Sequence, residues 1–182
     1  MENLVEVKNL EKKYGSKEAV KGISFNIKEN EILGLLGPNG SGKTTTIGMM
    51  LGLLKPSNGE ILIDGKKIEE NRIETLQKIN FISPYIELPK KLTVKQNLIV
   101  YCKLYNISDI KNRIEYLVEK LRLEDLLNRV TGELSSGQKN RVSLAKSLIN
   151  NPSVLFLDEP TASLDPETGD FVRSFLENYK KE

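Results

Sequence analysis

The stretch that decides the fold is Gly37-Pro38-Asn39-Gly40-Ser41-Gly42-Lys43-Thr44, which lies between a short apolar run and apolar residues at helical spacing. It matches the pattern G-x-x-x-x-G-K-[ST] at every fixed position. Glycine has no Cβ, so the backbone N–H groups of such a turn can converge on an anion. The positive end of the following helix points at the same place. The stretch therefore predicts a phosphate-binding loop between a strand and a helix, in preference to a glycine-rich turn that binds nothing.

The side chains of this loop have separate predicted tasks. We expect the Lys43 ammonium to reach the β- and γ-phosphates of a nucleotide and the Thr44 hydroxyl to coordinate Mg²⁺. The other loop residues contribute mainly backbone N–H groups. The residues predicted to contact the nucleotide here are Gly37, Pro38, Asn39, Gly40, Ser41, Gly42, Lys43, Thr44 and Thr45.

A second stretch, Val154-Leu155-Phe156-Leu157-Asp158-Glu159, is an apolar strand that ends in two carboxylates. A buried strand would deliver Asp158 beside the phosphate loop, where it can hold Mg²⁺ directly or through water. Glu159 follows at a position that suits a base polarising an attacking water. Alone, the pair is better explained as two solvated acids at a strand end. Together with a complete phosphate loop, the pattern favours the functional interpretation.

Periodicity outlines the rest of the chain. Alternating apolar residues predict half-buried strands around Val5 and around Phe25, and Asp64-Gly65 predicts a tight hairpin turn. Further strands are predicted at 32–36, 78–83 and 154–157, and amphipathic helices at 98–105, 114–121, 142–149 and 171–179. Residues 84–149 show only helical patterns. We therefore interpret the chain as one domain, in which a helical insertion at 84–149 interrupts an α/β core formed by 1–83 and 150–182.

Composition narrows the class of protein. The 182 residues are 38% hydrophobic and 29% charged, which is typical of a soluble globular domain. The net charge of +2 gives no support for a nucleic-acid partner. The absence of histidine excludes histidine catalysis, and the single cysteine excludes an internal disulfide. No apolar run reaches membrane-spanning length and the first residues do not resemble a signal peptide, so we expect a cytoplasmic protein.

A third stretch, Leu134-Ser135-Ser136-Gly137-Gln138, opens one of the predicted helices. Ser135 and Gln138 have the S-x-x-Q spacing of a capping box, which explains the stretch as a local helix start. On the residues alone, this structural interpretation and a functional one are equally good.

The ordered set of motifs resembles the ATP-binding cassette (ABC) ATPases from about Leu4 to the last residue. Residues 134–138 look like the family's LSGGQ signature, with Ser136 in place of its first glycine. Ser163-Leu164-Asp165, which follows the acidic pair, looks like the family's D-loop. Tyr14, just before Gly15, matches the aromatic residue that stacks on adenine; without the family it is equally a strand-end aromatic.

The resemblance implies a P-loop NTPase (RecA-like) core with an N-terminal antiparallel β subdomain and an inserted α-helical lobe. It implies ATP and Mg²⁺ as ligands, Thr44 and Asp158 on the metal, and Lys43 and Glu159 in catalysis. Two cassettes would pack head to tail as a homodimer or heterodimer, each ATP also meeting the partner's signature. The additional residues implied at the nucleotide are Tyr14, Ser135, Ser136, Gly137, Gln138 and Asp165.

The family also implies a biological role. It places the chain on the inner face of the cell membrane, as the nucleotide-binding subunit of a transporter whose transmembrane permease subunits are separate chains. ATP hydrolysis would power the transport. The stretch Lys91–Leu98, followed by Leu104-Tyr105, is similar to the drug- and peptide-exporter branch.

Two features depart from the family pattern. Pro84 stands where the family usually has a glutamine after the core strand, and the switch histidine is missing because the chain contains no histidine. We therefore expect the C-terminal part of the cassette to be missing and nucleotide binding to survive better than hydrolysis. A binding-only cassette is one alternative. A soluble ABC protein acting on ribosomes or DNA is another, although 84–149 shows neither heptads nor a basic stripe.

Overall fold

The computed structural model describes residues 3–83, 87–160 and 164–179. Its internal contacts divide the chain after Leu76 into two compact parts, called unit 1 and unit 2. Unit 1 contains β1 (Asn3–Tyr14), β2 (Lys17–Lys28), α1 (Lys43–Met50), β3 (Asn58–Ile63), β4 (Lys66–Lys67) and most of α2 (Arg72–Lys78). Unit 2 contains β5 (Ile79–Ile82), α3 (Val94–Leu104), α4 (Ile110–Leu121), α5 (Ser136–Leu148), β6 (Val154–Leu157) and α6 (Pro166–Tyr179).

The sheet of unit 1 is antiparallel, with strand order β2-β1-β3-β4. Alternation along β1 buries Val5 and Val7 almost completely, because every second side chain of a strand points to the same face. Val5 lies opposite Ile27 on β2 and Ile63 on β3, so β1 is an inner strand of the sheet. The predicted hairpin is confirmed: both turn residues, 64 and 65, have positive φ and join β3 to β4.

Helix α1 starts at Lys43 because the preceding residue, Gly42, has a φ of 95°, which is incompatible with a right-handed helix. Its buried residues are Thr46, Met49 and Met50, which recur at the three- and four-residue spacing of one helix face. The prediction of a helix after the phosphate loop is therefore confirmed, and the helix ends at Met50.

The strand predicted at 32–36 is wrong. Residues 31–38 have no regular secondary structure, and Ile32 and Leu36 are 60% and 96% exposed. A strand exists only through hydrogen bonds to a neighbour, and none of the strands in the described residues pairs with this run. Apolar character alone therefore gave the wrong prediction.

The sheet of unit 2 is a parallel pair, β5 and β6, with Ile79 opposite Val154 and Ile82 opposite Leu157. Backbone hydrogen bonds extend the pair at both ends. The Ser153 N–H donates to the Lys78 carbonyl at 2.8 Å, and the Asp158 N–H donates to the Ile82 carbonyl at 2.9 Å. Both predicted strands are confirmed, and β6 ends immediately before the acidic pair.

Helices α3, α4 and α5 enclose the core of unit 2. Its fully buried members include Leu98 from α3, Leu117 and Leu121 from α4, and Leu144 and Leu148 from α5. The helical periodicity assigned all of these positions except Leu144 to apolar faces. The aromatic face of α6 packs against the same cluster. Within the described ranges no helix is both long enough and apolar enough to cross a membrane. The organisation into one domain with an insertion at 84–149 stays a prediction.

Candidate functional site

The phosphate loop of unit 1 is a tight turn that requires glycine at two positions. A Cβ built on Gly37 would lie 2.6 Å from the Ser41 Oγ, and one built on Gly42 would lie 2.4 Å from the Ala19 carbonyl oxygen. Both glycines also have φ values in the region that disfavours other residues. The Ser41 N–H donates to the Pro38 carbonyl at 3.2 Å, which closes the turn. The turn and the helix that follows it therefore match the sequence pattern, whereas the strand predicted before the turn does not form.

The N-terminus of α1 is open to an anion. In the described part of the chain no side chain caps this helix, and its first turn contains no acidic residue. The N–H groups at a helix start have no partner within the helix and carry its positive dipole end. Residues 37–41 are exposed. The helix start can therefore accept a phosphate without displacing a protein acceptor, and it fits the predicted ligand.

The Lys43 ammonium lies within the loop itself. It donates to the Gly37 carbonyl at 2.7 Å and to the Pro38 carbonyl at 3.0 Å. Lysine is a compact cation on a flexible stem, so it can exchange these carbonyls for phosphate oxygens. The side chain therefore starts from a position beside the turn that would hold the phosphates.

Tyr14 is the last residue of β1, and its ring is half-exposed. Tyr14 pairs with Lys17 across the β1–β2 hairpin. Ala19, two residues further along β2, has its carbonyl against Gly42 of the phosphate loop. The hairpin that carries the ring thus adjoins the loop within unit 1. An exposed aromatic ring at this place is compatible with the predicted adenine contact, which stays a prediction.

The acidic pair lies at the carboxyl end of the parallel strands of unit 2, the edge where α/β sheets usually bind ligands. Asp158 is half-buried and continues the β6 ladder. Glu159 is exposed and has a φ of 49°, a left-handed conformation that is uncommon outside glycine. The neighbouring Pro160 carbonyl accepts a 2.9 Å hydrogen bond from the Asn140 side-chain amide of α5. This contact ties the Glu159 loop to the signature helix.

The signature stretch forms the start of α5. The capping box is confirmed: the Ser135 Oγ accepts from the Gln138 N–H at 3.3 Å, and the Gln138 Oε1 accepts from the Ser135 N–H at 3.1 Å. Ser135 and Ser136 are exposed and Gly137 is buried. A Cβ on Gly137 would lie 3.0 Å from the Thr168 Oγ1 of α6, so this position favours glycine for packing. The predicted nucleotide contacts of Ser135, Ser136, Gly137 and Gln138 stay predictions.

Asp165 caps the start of α6. Its carboxylate accepts from the Thr168 N–H at 2.9 Å and from the Thr168 hydroxyl at 2.8 Å, and these bonds lower the pKa of Asp165. The structure therefore gives Asp165 a local role, and its predicted part in nucleotide binding stays a prediction. Ser163 and Pro84 lie outside the described residues.

A cavity of about 300 Å³ opens in unit 2 between α5 and the loop that carries the acidic pair. Ser136, Lys139 and Asn140 line it from α5, and Glu159 lines it from the loop. Ser136 of the signature and Glu159, the predicted base, therefore line the same cavity.

Sequence reasoning missed three residues near these sites. They are Lys12, whose ammonium lies over the Tyr14 ring, Asn140 of α5, which contacts the Glu159 loop, and the buried Lys146. Lys12 could have been found, since residues two apart on a strand share a face. Lys146 also had a signal, because it lies four residues after Val142 and three residues before Ile149, at the spacing of the apolar face. The Asn140 contact joins segments 20 residues apart and had no sequence signal.

Comparison with known proteins agrees with this architecture. Residues 20–162 match the family described as "ABC transporter", so the chain belongs to the ABC transporter family. It is 41% identical over 165 residues to the Nod factor export ATP-binding protein I of Burkholderia orbicola, covering 90% of this chain and 54% of the relative. It is 37% identical over 185 residues to the bacitracin transport ATP-binding protein BcrA of Bacillus licheniformis, covering 100% of this chain and 59% of that protein.

A solved structure shares the fold as well. The dimeric, post-hydrolysis structure of the ATP-binding cassette MJ0796 bound to ADP and Pi superposes with a TM-score of 0.86 and 30% identity, covering 97% of this chain and 83% of that chain. The predicted P-loop cassette fold, with its antiparallel β subdomain and helices, is thereby confirmed. The chain spans about half the length of the curated relatives that it matches.

Proposed function

We propose that this chain binds and hydrolyses ATP as the nucleotide-binding subunit of an ABC transporter. The observation that supports this most strongly is the phosphate loop, with two positions that only glycine fits and an uncapped helix start behind it. Membership of the ABC transporter family supports the same function.

The proposed roles follow the chemistry of each side chain. Lys43 binds the terminal phosphates, Tyr14 stacks on adenine, and Glu159 accepts the proton of the attacking water. Thr44 and Asp158 are proposed as magnesium ligands; when bound, the ion would neutralise phosphate charge. The remaining loop residues, from Gly37 through Thr45, supply N–H groups to the phosphate chain.

The proposed partners are a second cassette and transmembrane permease subunits. Pairing head to tail would bring the exposed Ser135 and Ser136 of one chain to the nucleotide of the other, where the start of α5 favours an anion. The names of two relatives refer to export of Nod factor and transport of bacitracin, and the first supports the exporter direction. With such partners, the chain would work at the inner face of the membrane.

A direct test replaces the phosphate-binding ammonium. Isothermal titration calorimetry should show saturable Mg-ATP binding by the unmodified chain and at least a tenfold loss of affinity in Lys43→Ala, since an ammonium–phosphate contact is removed. Lys28→Ala, which removes an exposed lysine of the same unit, is the charge-matched control and should bind normally. Equal affinities for the Lys43→Ala variant and the unmodified chain would refute the assignment of the loop.

A binding-only cassette is the second candidate, and Pro84 is the sequence observation that favours it. The two candidates differ in turnover at saturating ATP. Phosphate release that is lost in Glu159→Gln supports hydrolysis, whereas saturable ATP binding without phosphate release supports the binding-only function.

A further inference from the structure

Lys12 lies over the ring of Tyr14, the residue proposed to stack on adenine. Its Nζ is 5.2 Å from the centroid of the Tyr14 ring, within the range of a cation–π contact. The same ammonium donates a 2.6 Å hydrogen bond to the Lys55 carbonyl. Both residues of the pair are on β1, two positions apart, so they project from the same face of the strand.

The Lys55 carbonyl, which accepts this hydrogen bond, is held in place by its neighbours. It belongs to the segment that leaves α1, and that segment is bonded along β1 by two further hydrogen bonds. The Ser57 N–H donates to the Glu11 carbonyl at 2.8 Å, and the Lys13 N–H donates to the Ser57 Oγ at 3.0 Å. Lys12 therefore connects the Tyr14 ring to the chain that emerges from the phosphate-loop helix.

We propose that Lys12 is a positioning residue for the nucleotide base. The ammonium would hold one face of the half-exposed Tyr14 ring, and adenine would stack on the other face. By its bond to Lys55, it also fixes the ring relative to the helix start that would bind the phosphates. This inference rests on the proposed ATP-binding function and deepens it, because it assigns a residue to base recognition.

Lys13 provides the contrast. It is the next residue along the same strand, but its ammonium pairs with Glu18 at 2.8 Å. Replacing either lysine removes one positive charge from the same hairpin, and long-range attraction of a polyphosphate changes by a similar amount. Only the Lys12 replacement removes the contact with the Tyr14 ring.

The experiment compares a nucleotide with a ligand that has phosphates but no base. Calorimetry of the full chain measures the affinities for Mg-ATP and for magnesium tripolyphosphate, and their ratio is the contribution of the nucleoside. In Lys12→Met this ratio should fall by about threefold to tenfold, as expected for loss of a cation–π contact and of an ordered ring. In Lys13→Met the ratio should stay unchanged, and Lys12→Arg should retain it because guanidinium also stacks on aromatic rings.

Two further variants keep the inference testable. Lys12→Gln removes the charge but retains an amide donor for the Lys55 carbonyl, and it replaces Lys12→Met should that variant fail to fold. In a Tyr14→Ala background, Lys12→Met should have no further effect on the ratio. An unchanged ratio in Lys12→Met and Lys12→Gln, or full additivity with Tyr14→Ala, would overturn the role of Lys12. Failure of the unmodified chain to bind either ligand would instead overturn the proposed function.

Discussion

Lys146 of α5 is a charged residue that is buried in the protein interior. It is 8% exposed, and its Nζ lies 3.3 Å from the Phe81 carbonyl and 3.4 Å from the Asn80 Oδ1. The rings of Phe81 and Tyr101 lie 5.1 and 5.4 Å from the same ammonium. Carbonyl oxygens and the faces of aromatic rings therefore stabilise the buried ammonium. Burial lowers the pKa of Lys146 below its ordinary value of 10.5.

This lowered pKa predicts a pH dependence with a definite sign. Between the pKa of Lys146 in the folded protein and 10.5, the unfolded chain binds more protons, so the free energy of unfolding rises with pH. Lys146→Met cannot titrate and should lack this rise. Urea unfolding of both proteins between pH 8 and pH 10.5 measures the difference, in which other titrating lysines cancel. Identical pH profiles would show that Lys146 keeps an ordinary pKa.

At the residue scale, the sequence predicted the glycine-rich turn before α1 but not the contacts around it. Gly37 and Gly42 both have positive φ, a local backbone feature that a local pattern can encode. Glu159 was predicted from its place after an apolar strand, but its left-handed backbone was not. The contact between Asn140 and the Pro160 carbonyl depends on tertiary packing, which no local pattern contains.

At the scale of elements, α5 is stabilised at both ends by side chains. Its start has the capping box of Ser135 and Gln138. At its end, the Arg113 guanidinium from α4 donates to the Leu148 carbonyl and, at 3.0 Å, to the Ile149 carbonyl. These bonds satisfy groups that a helix leaves unpaired at its termini. Side chains of the protein therefore hold both ends of the helix that presents the signature.

Removing the cap should cost a measurable amount of stability. Ser135→Ala loses the acceptor for the Gln138 N–H, and the free energy of unfolding should fall by about 1 kcal/mol. Ser136→Ala alters an adjacent exposed serine that does not cap the helix, and it should change stability by less than about 0.5 kcal/mol. Chemical denaturation measures both. A larger loss in Ser136→Ala than in Ser135→Ala would contradict the assigned cap.

Elements with an amphipathic pattern were predicted correctly, whereas the apolar run at 32–36 was not. Helices α3, α4 and α5 each bury one face in the same cluster. The spacing of their apolar residues therefore reflects which face is buried. A strand that is buried on both faces shows no alternation of apolar and polar residues, and it forms only if another strand of the chain pairs with it. Apolar composition alone could not show whether such partners pair with this run.

At the scale of the whole molecule, the resemblance to the family rested on the order of the motifs along the chain. No single motif was sufficient, since residues 134–138 are also explained as a capping box. The sequence therefore predicted the family and the sheet of unit 1. The separation of the chain into two units after Leu76 depends on contact density and was not predicted.

The proposed head-to-tail pairing leads to a prediction for Glu159→Gln. A glutamine cannot accept the proton of the attacking water, so ATP should remain bound and hold two chains together. Size-exclusion chromatography with Mg-ATP should show a dimer of this variant, which reverts to monomer without nucleotide. Adding Lys43→Ala to Glu159→Gln should abolish the dimer by removing nucleotide binding. Phosphate release by Glu159→Gln at the unmodified rate would show that Glu159 is not the base.

The central claim is that the turn before α1 holds the triphosphate of a nucleotide, and calorimetry of the unmodified 182-residue chain with Mg-ATP tests it most directly. The expected result is saturable binding of one nucleotide per chain, with a Kd between about 1 µM and 1 mM, weakened by competing magnesium tripolyphosphate. Folded protein that gives no saturable heat at millimolar Mg-ATP would contradict the claim.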